Sequence, residues 1–414
     1  MNEIKFNVAV IGGGPAGMIA AGTAAKKGAK VIIIEKNKSL GRKLLITGKG
    51  RCNITNATYD LREFIKNFGK NGKFLYSALQ AFGIEETIRF FNNNGLKTKT
   101  ERGNRVFPES DKSADVLNVL TKYLEDNSVT VKTNTEIKRI KFIDDKIESI
   151  ENSHNRITAD NFILCTGGLA FPGTGSTGDG FKWLKTLGHT VTKPEPALMP
   201  IIVEEDFVES LKGLTLKNVV VSVYQDNKKK DERFGEASFT NDGMDGPIIL
   251  DMSKTIHELL HKEKPLQLKI DLKSALDYNE LDKRIQRDLN EANNKSFKNS
   301  LDKLLPKQMI PTLIKVSKID PEKKANSITK EERKKLIHLF KDFTLNIKET
   351  EGFDKSIITS GGLKLSEVDP KTMCSKIIKN LYIAGEILDL DGPTGGYNLQ
   401  ICWSTGYLAG SSIL

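Results

Sequence analysis

The chain has 414 residues, 38% hydrophobic and 28% charged, with a formal net charge of +10. That length exceeds one ordinary core and predicts two or three domains, and the composition fits a soluble, folded protein. No apolar run nears the roughly 18 residues of a membrane span, and the first strand starts too early to leave room for a signal peptide. Cys52, Cys165, Cys374 and Cys402 are widely spaced with no CxxC pair, which predicts a reducing cytoplasm rather than a disulfide framework or structural zinc. The lysine-rich stretches Lys228–Lys230 and Lys315–Lys335 are mixed with acids and asparagines and lack interleaved aromatics. A solvated surface is therefore expected, and nucleic acid is not.

In chain order, the β-branched run Val8–Ile11 leads into Gly12, Gly14 and Gly17, a G-x-G-x-x-G turn that opens an alanine-rich segment through Lys27. The first glycine permits a tight turn, the second lets backbone amides approach a pyrophosphate, and the third lets helix and strand pack closely. Pro15 and Ala16 sit inside that turn. A second strand, Val31–Ile34, ends in Glu35, 18 residues beyond Gly17, where an acid accepts the hydroxyls of an adenosine ribose. A glycine-rich stretch, Ser39–Asn56, follows. Helical segments are expected over Phe74–Phe91 and Ser113–Glu125, and strands over Val129–Ile137, Arg139–Ile143, Lys146–Ile150 and Asn161–Cys165.

Near Pro194-Glu195-Pro196 the character changes to strand-rich: Met199–Val203, Leu216–Tyr224, Ala237–Thr240 and Leu266–Ile270. From Leu276 to Phe343 it is charged and helix-like, broken by Pro306, Pro311 and Pro321. The last sixty residues return to short buried strands, including Leu381–Ala384, and glycine turns. The expected architecture is α/β. A Rossmann-like nucleotide domain comes from residues 1–193 and 346–414, interrupted by a β-rich, barrel-like piece (194–274) and a helical piece (275–345).

Three segments favour FAD over a nicotinamide nucleotide as the tight ligand. They are Gly41–Asn53, the strand ending in Thr166-Gly167-Gly168, and Tyr382–Glu386 followed by Gly392–Gln400. A molecule as long as FAD needs a second contact region, and the C-terminal segment supplies one. Glu386 can accept from a ribityl hydroxyl, and amides around Tyr397–Leu399 at a helix start can stabilise negative charge on a flavin ring.

Four motifs, Ile46–Asn53, Arg105–Pro108, Gly173–Gly180 and Asp389–Asn398, resemble the BaiN/HI0933-like family of FAD-dependent oxidoreductases, also labelled the aminoacetone oxidase family. The resemblance covers essentially the whole chain. It implies noncovalent FAD on a Rossmann-like domain carrying barrel-like and helical inserts and, in some members, nicotinamide-dependent reduction of an unsaturated substrate. The cofactor contacts expected are Gly12, Gly14, Pro15, Ala16, Gly17, Glu35, Lys36, Arg42, Lys43, Thr47, Gly48, Gly50, Arg51, Cys52, Asn53, Ile137, Thr166, Gly167, Gly385, Glu386, Gly396, Tyr397, Asn398 and Leu399. The chain departs from the pattern at Cys374 and Cys402, which are atypical for their positions, and in the barrel-like piece. Asn241 and Asp245 stand where relatives carry His and Ser, so a proton transfer assigned to that histidine does not carry over, because an amide does not titrate.

Other motifs are weaker. Gly173, Gly175 and Gly178 repeat the G-x-G-x-x-G spacing, but Pro172 precedes them and no acid follows at a strand end, so no second dinucleotide domain is expected. His257-Glu258-Leu259-Leu260-His261 matches HExxH with Glu280 downstream; Pro265 and a strand-like Leu266–Leu272 intervene, and a solvated helix end is expected instead of zinc. Cys52 is expected to pack or touch flavin, and His154, His189 and His338 are assigned no role.

The function expected is flavin-mediated hydride transfer, with NAD(P)H as a transient donor and a small unsaturated organic substrate bound near residues 237–247. Tyr397, Arg51 and Asp245 are the candidate catalytic side chains by type. A flavin oxidase using O2 on an amine, or a non-catalytic flavin protein docking RNA or protein through its basic surface, are the alternatives. No coiled-coil repeat indicates an oligomeric state.

Overall fold

Val8, Val10 and Val31–Ile34 are buried throughout, as strands of a parallel sheet covered on both faces must be. The computed structural model describes residues 4–153, 155–262 and 264–413, so His154 lies outside the described residues. The chain divides into two compact units: Met1–Ala197 with Phe353–Leu414, and Leu198–Gly352.

In the first unit, β1 (Ile4–Ile11) lies parallel between β2 (Val31–Ile34) and strand Arg156–Leu164, with Val10 opposite Ile33 on one side and Ile163 on the other. Thr130–Lys132 extends the sheet beyond β2, Leu381–Ile383 pairs with Arg156–Leu164, and the antiparallel hairpin Arg139–Ile143/Lys146–Glu151 completes seven strands. Helix α1 (Pro15–Lys26) packs against the C-terminal helix Tyr397–Ser411 at backbone distance. A Cβ at Gly406 or Gly410 would stand 2.4 or 2.3 Å from the carbonyl oxygen of Ala16 or Ala20. Glycine spacing of four on the C-terminal helix thus lets two helix backbones touch under the nucleotide turn.

The second unit contains a closed six-stranded antiparallel barrel in the order Ile201–Val203, Gly243–Asp245, Lys228–Phe239, Thr215–Gln225, Leu266–Asp271, Phe343–Thr350. The last strand pairs back onto the first. Helices Pro247–Leu260, Tyr278–Glu291, Ile310–Ser317 and Lys330–Lys341 share one buried apolar cluster with the barrel, from Val221 and Leu268 to Leu281, Leu313 and Phe340.

Several elements differ from the sequence expectation for identifiable reasons. The single helix expected over Phe74–Phe91 is broken, because Phe82 leaves helical geometry and Gly83 starts a new helix, Ile84–Asn93, whose Glu86 carboxylate accepts the Gly83 N–H. The strand expected to reach Ile137 stops at Lys132, since the Asn134 and Thr135 amides turn to the carbonyls of Asn37 and Glu35. The strand expected over Ala237–Thr240 runs from Lys228 to Phe239, its first half exposed and lysine-rich and so lacking apolar alternation.

Candidate active site

The three glycines of the first turn have three different surroundings. Gly12 adopts φ +108°, and a Cβ there would lie 2.4 Å from the Cys165 carbonyl oxygen. A Cβ at Gly17 would lie 2.0 Å from the Gly12 carbonyl oxygen, while one at Gly14 would meet nothing within 4 Å. Gly12 and Gly17 therefore serve the fold, and Gly14 faces open space. Gly14 is also the N-cap of α1, offers no side-chain cap, and is followed by Pro15. The first-turn amides of a twelve-residue helix are left to an external acceptor, which is the arrangement that holds a phosphate.

Glu35 is buried at the end of β2. Its Oε2 accepts the Gly13 N–H at 2.8 Å, and its Oε1 accepts the backbone and side-chain amides of Asn37 at 2.8 and 2.6 Å. A carboxylate has about four acceptor positions, so capacity remains for a ribose hydroxyl. Asn37 in turn accepts from Arg42 at 2.8 Å and donates to the Thr174 carbonyl at 3.1 Å. Lys36 pairs with Asp179 at 2.7 Å. The second glycine turn, 173–178, is thus a brace for the exit of β2: a Cβ at Gly175 would lie 2.3 Å from the Asn37 amide.

Farther along the site, Lys43 meets Glu386 at 2.9 Å, and Glu386 Oε1 also accepts the Thr359 N–H at 3.0 Å. The Thr359 hydroxyl accepts the N–H groups of Leu169 and Ala170 at 2.8 and 3.0 Å, fixing the loop after Thr166-Gly167-Gly168. Thr166 Oγ1 and Asn53 Oδ1 are both buried without a hydrogen-bond partner. Buried polar atoms are normally satisfied, so each of these two orphans, in two segments expected to hold flavin, fits a hydrogen-bonding ligand.

The loop carrying Asn53 is held in unusual geometry. Gly48, Lys49, Gly50 and Cys52 all have positive φ. Arg51 anchors it from outside: the guanidinium binds Glu101 and, at 2.5 Å, Asp111, and lies 4.0 Å over the Phe107 ring. Arg51 is raised above its usual pKa, chiefly by the hydrogen bond to Glu101, and Glu101 is correspondingly lowered by Arg51. Asp111 is lowered by hydrogen bonds to Lys99 and Arg51. Arg51 is committed to these carboxylates and holds the loop rather than a reacting atom. Cys52 is fully buried, and burial pushes its thiol up to about 12.

Tyr397 begins the C-terminal helix after Gly396, at φ +100°, and packs against Phe64 with ring centroids 4.8 Å apart and the rings tilted by 36°. The Asn398 side chain accepts the Gly392 N–H at 2.8 Å and donates to the Gly392 and Pro393 carbonyls, closing the preceding turn. Leu399 is partly exposed and Gln400 fully buried, its amide bonded to Thr55, Thr87 and Ser404. Gly385 donates to Thr405 at 3.0 Å, and Ile137 is buried in the core of the first unit. Asp245 lies in the second unit, opposite Ser238 in the barrel.

Thr359, Asn37 and Gln400 were missed by sequence reasoning. Asn37 had a local signal, two residues after the acid; Thr359 and Gln400 act across more than 180 residues and had none. In the HExxH segment, His257 Nδ1 contacts Thr350 at 2.9 Å and His261 lies beside His257, while Glu280 is occupied in the capping box of its own helix with Asp277.

The HI0933-like protein Rossmann domain family matches residues 6–412. The chain belongs to this family. As a member it is an FAD-dependent oxidoreductase with a Rossmann-type FAD-binding domain and a six-stranded barrel. It is 33% identical to a 3-dehydro-bile acid delta(4,6)-reductase of Clostridium scindens, covering 97% of this chain and 98% of the relative. It is 27% identical to a ribosomal RNA dihydrouridine synthase of Escherichia coli, covering 99% and 98%. Among solved structures, a 3-ketosteroid delta1-dehydrogenase from Sterolibacterium denitrificans superposes with a TM-score of 0.54 at 14% identity, covering 99% of both chains, a likeness of fold. Among the described residues, no helix of this HI0933-like protein is long and apolar enough to cross a membrane.

Proposed function

We propose that this HI0933-like protein takes electrons from NADH or NADPH and saturates a carbon–carbon double bond conjugated to a carbonyl. The observation that carries the reading is a preformed FAD cradle, open at Gly14 and orphaned at Thr166 and Asn53, in a chain matched end to end by relatives with reductive names. Bound FAD would supply two-electron hydride chemistry between a nicotinamide and an electron-poor carbon. The chain's own part is positional. The Gly12–Gly17 turn and the α1 N-terminus would hold the pyrophosphate, Glu35 the ribose, and the Lys43–Glu386–Thr359 network together with Asn53 and Thr166 the middle of the cofactor. The Gly396–Leu399 amides at the start of the C-terminal helix would stabilise negative charge on the ring. In balance, the double bond gains a hydride at its β-carbon and a proton at its α-carbon, and the nicotinamide is oxidised. The unpaired thiols support a reducing cytoplasm as its place of action.

A second reading of the acceptor rests on the relatives named ribosomal RNA dihydrouridine synthase. Dihydrouridine is uridine with its ring double bond saturated, and that bond too is conjugated to a carbonyl. The reaction class is then unchanged, and only the carrier of the double bond differs. Anaerobic incubation with NADPH or NADH and either a 3-oxo-4-ene steroid or a uridine-containing RNA tests both. A product heavier by two hydrogens is expected from one of them. Oxygen-coupled turnover of an amine with no reduction of either acceptor contradicts the reading.

A further inference from the structure

His257 and His261 stand in the last turn and at the C-cap of helix Pro247–Leu260, in the second unit and apart from the residues assigned to the cofactor. Their spacing of i and i+4 puts both side chains on one helix face. The two Nε2 atoms lie 3.3 Å apart. The rings are nearly perpendicular, at 81° with centroids 4.7 Å apart, so the imidazoles meet at their nitrogens and do not stack. Two nitrogens that each lie about 2.0–2.1 Å from a tetrahedral ion are themselves about 3.3 Å apart.

His257 is also held from behind. Its Nδ1 contacts the Thr350 hydroxyl at 2.9 Å, at the end of the barrel strand Phe343–Thr350. With its proton on Nδ1, His257 donates to Thr350 and keeps the Nε2 lone pair, beside His261, for a metal ion. Metal-binding histidines have an outer partner of this kind, which fixes both tautomer and ring orientation. The place on the helix favours a cation as well, because the last turn carries the unpaired carbonyls and the negative end of the dipole. His261 is exposed and His257 half-buried, so an ion reaches the pair from solvent.

We infer that His257 and His261 form a two-histidine site for a divalent transition-metal ion of the class that imidazole suits, such as Zn2+, Ni2+ or Cu2+. The site is not that of a zinc hydrolase, which needs three protein ligands. Glu280 is taken up by the cap of its own helix, and no group of three or more metal-ligating side chains exists among the described residues. Water completes the coordination. The ion ties the last turn of the helix to its C-cap and, through His257, to Thr350 of the barrel. Because the pair is set at this distance only in the folded helix, the ion stabilises the fold.

The test is calorimetric titration of the FAD-loaded full chain, first stripped of metal with a chelator, with zinc chloride at about pH 7.5, where imidazole is neutral. About one Zn2+ per chain is expected, with two histidine ligands. H257Q and H261Q are each expected to weaken binding about tenfold or more, since loss even of an outer partner costs about 10–100-fold. H338Q, which removes an exposed histidine on helix Lys330–Lys341, leaves binding unchanged. Thr350→Val is expected to weaken binding about tenfold and Thr350→Ser to restore it. Saturating Zn2+ should raise the melting temperature of the wild type and leave that of H261Q unmoved, although the two melt alike without metal. FAD content and flavin bleaching by NAD(P)H are expected to be the same in H261Q as in the wild type. A wild type that binds no Zn2+, binding that either H257Q or H261Q leaves as tight as before, or equal weakening by H338Q overturns the inference.

Discussion

Lys43 Nζ lies 2.9 Å from Glu386 Oε2 although 343 residues separate them, and the same carboxylate takes the Thr359 amide at 3.0 Å. This one contact joins the loop after the nucleotide turn to the closing segment of the chain. It fixes the two segments to each other. Glu386 is therefore a strut of the cradle as well as a candidate acceptor for a ribityl hydroxyl.

Glu386→Gln removes the counterion of Lys43 and weakens the acceptor for Thr359. Hydrogen bonds to a charged group contribute about 1.5–3 kcal/mol, and this pair is largely buried, with side-chain exposures of 21% and 17%. The expected result is a lower melting temperature and FAD lost on dialysis. Calorimetry and absorbance after dialysis check both; unchanged FAD retention contradicts the strut role.

Gly17→Ala and Gly14→Ala should separate fold from cofactor. The first forces a Cβ to 2.0 Å from the Gly12 carbonyl, and overpacking of that kind costs about 1–3 kcal/mol or more. The second meets no protein atom, and exchanging glycine for alanine at an N-cap costs only about 1 kcal/mol. Apo-protein melting should thus fall sharply for Gly17→Ala and little for Gly14→Ala, while both lose FAD affinity. Equal melting temperatures would falsify this division of labour.

Burial pushes the thiols of Cys52 and Cys402 up to about 12 and raises Cys165 as well. At pH 7 the thiolate fraction of Cys52 is about one in 10⁵, too small for a reactive nucleophile. Native protein should resist thiol reagents at these three positions and react at all four cysteines once denatured. Rapid labelling of native Cys52, read by mass spectrometry, would overturn its packing role.

The Arg51 clamp predicts a one-sided pH response. Glu101 and Asp111 have folded pKa values below their ordinary ones, so their contribution is complete above the ordinary carboxylate range and lost as pH falls through the folded values. FAD retention and resistance of the 47–53 loop to proteolysis should be flat from pH 8 to pH 5 and decline only below about pH 4. A loss between pH 7 and pH 5 would point to another group.

The nucleotide turn was legible because its chemistry is local: Gly12, Gly14, Gly17 and Glu35 declare their geometry within one strand–helix–strand unit. Barrel and helices in the second half were legible as types, since Leu266–Asp271 alternates buried and partly buried residues and the helices carry apolar stripes. What escaped was long-range or masked by charge. Thr359 bonds residues 189 and 190 positions away. Lys228–Phe239 hid its strand under exposed lysines, and Phe82–Gly83 hid a helix break inside an apolar run.

The most direct test is an anaerobic titration of the purified protein with NADH and NADPH, following flavin absorbance. About one FAD per chain and rapid bleaching by at least one of the two nucleotides are expected. A colourless protein that FAD cannot reconstitute, or a yellow one that neither nucleotide bleaches, contradicts the reductase reading.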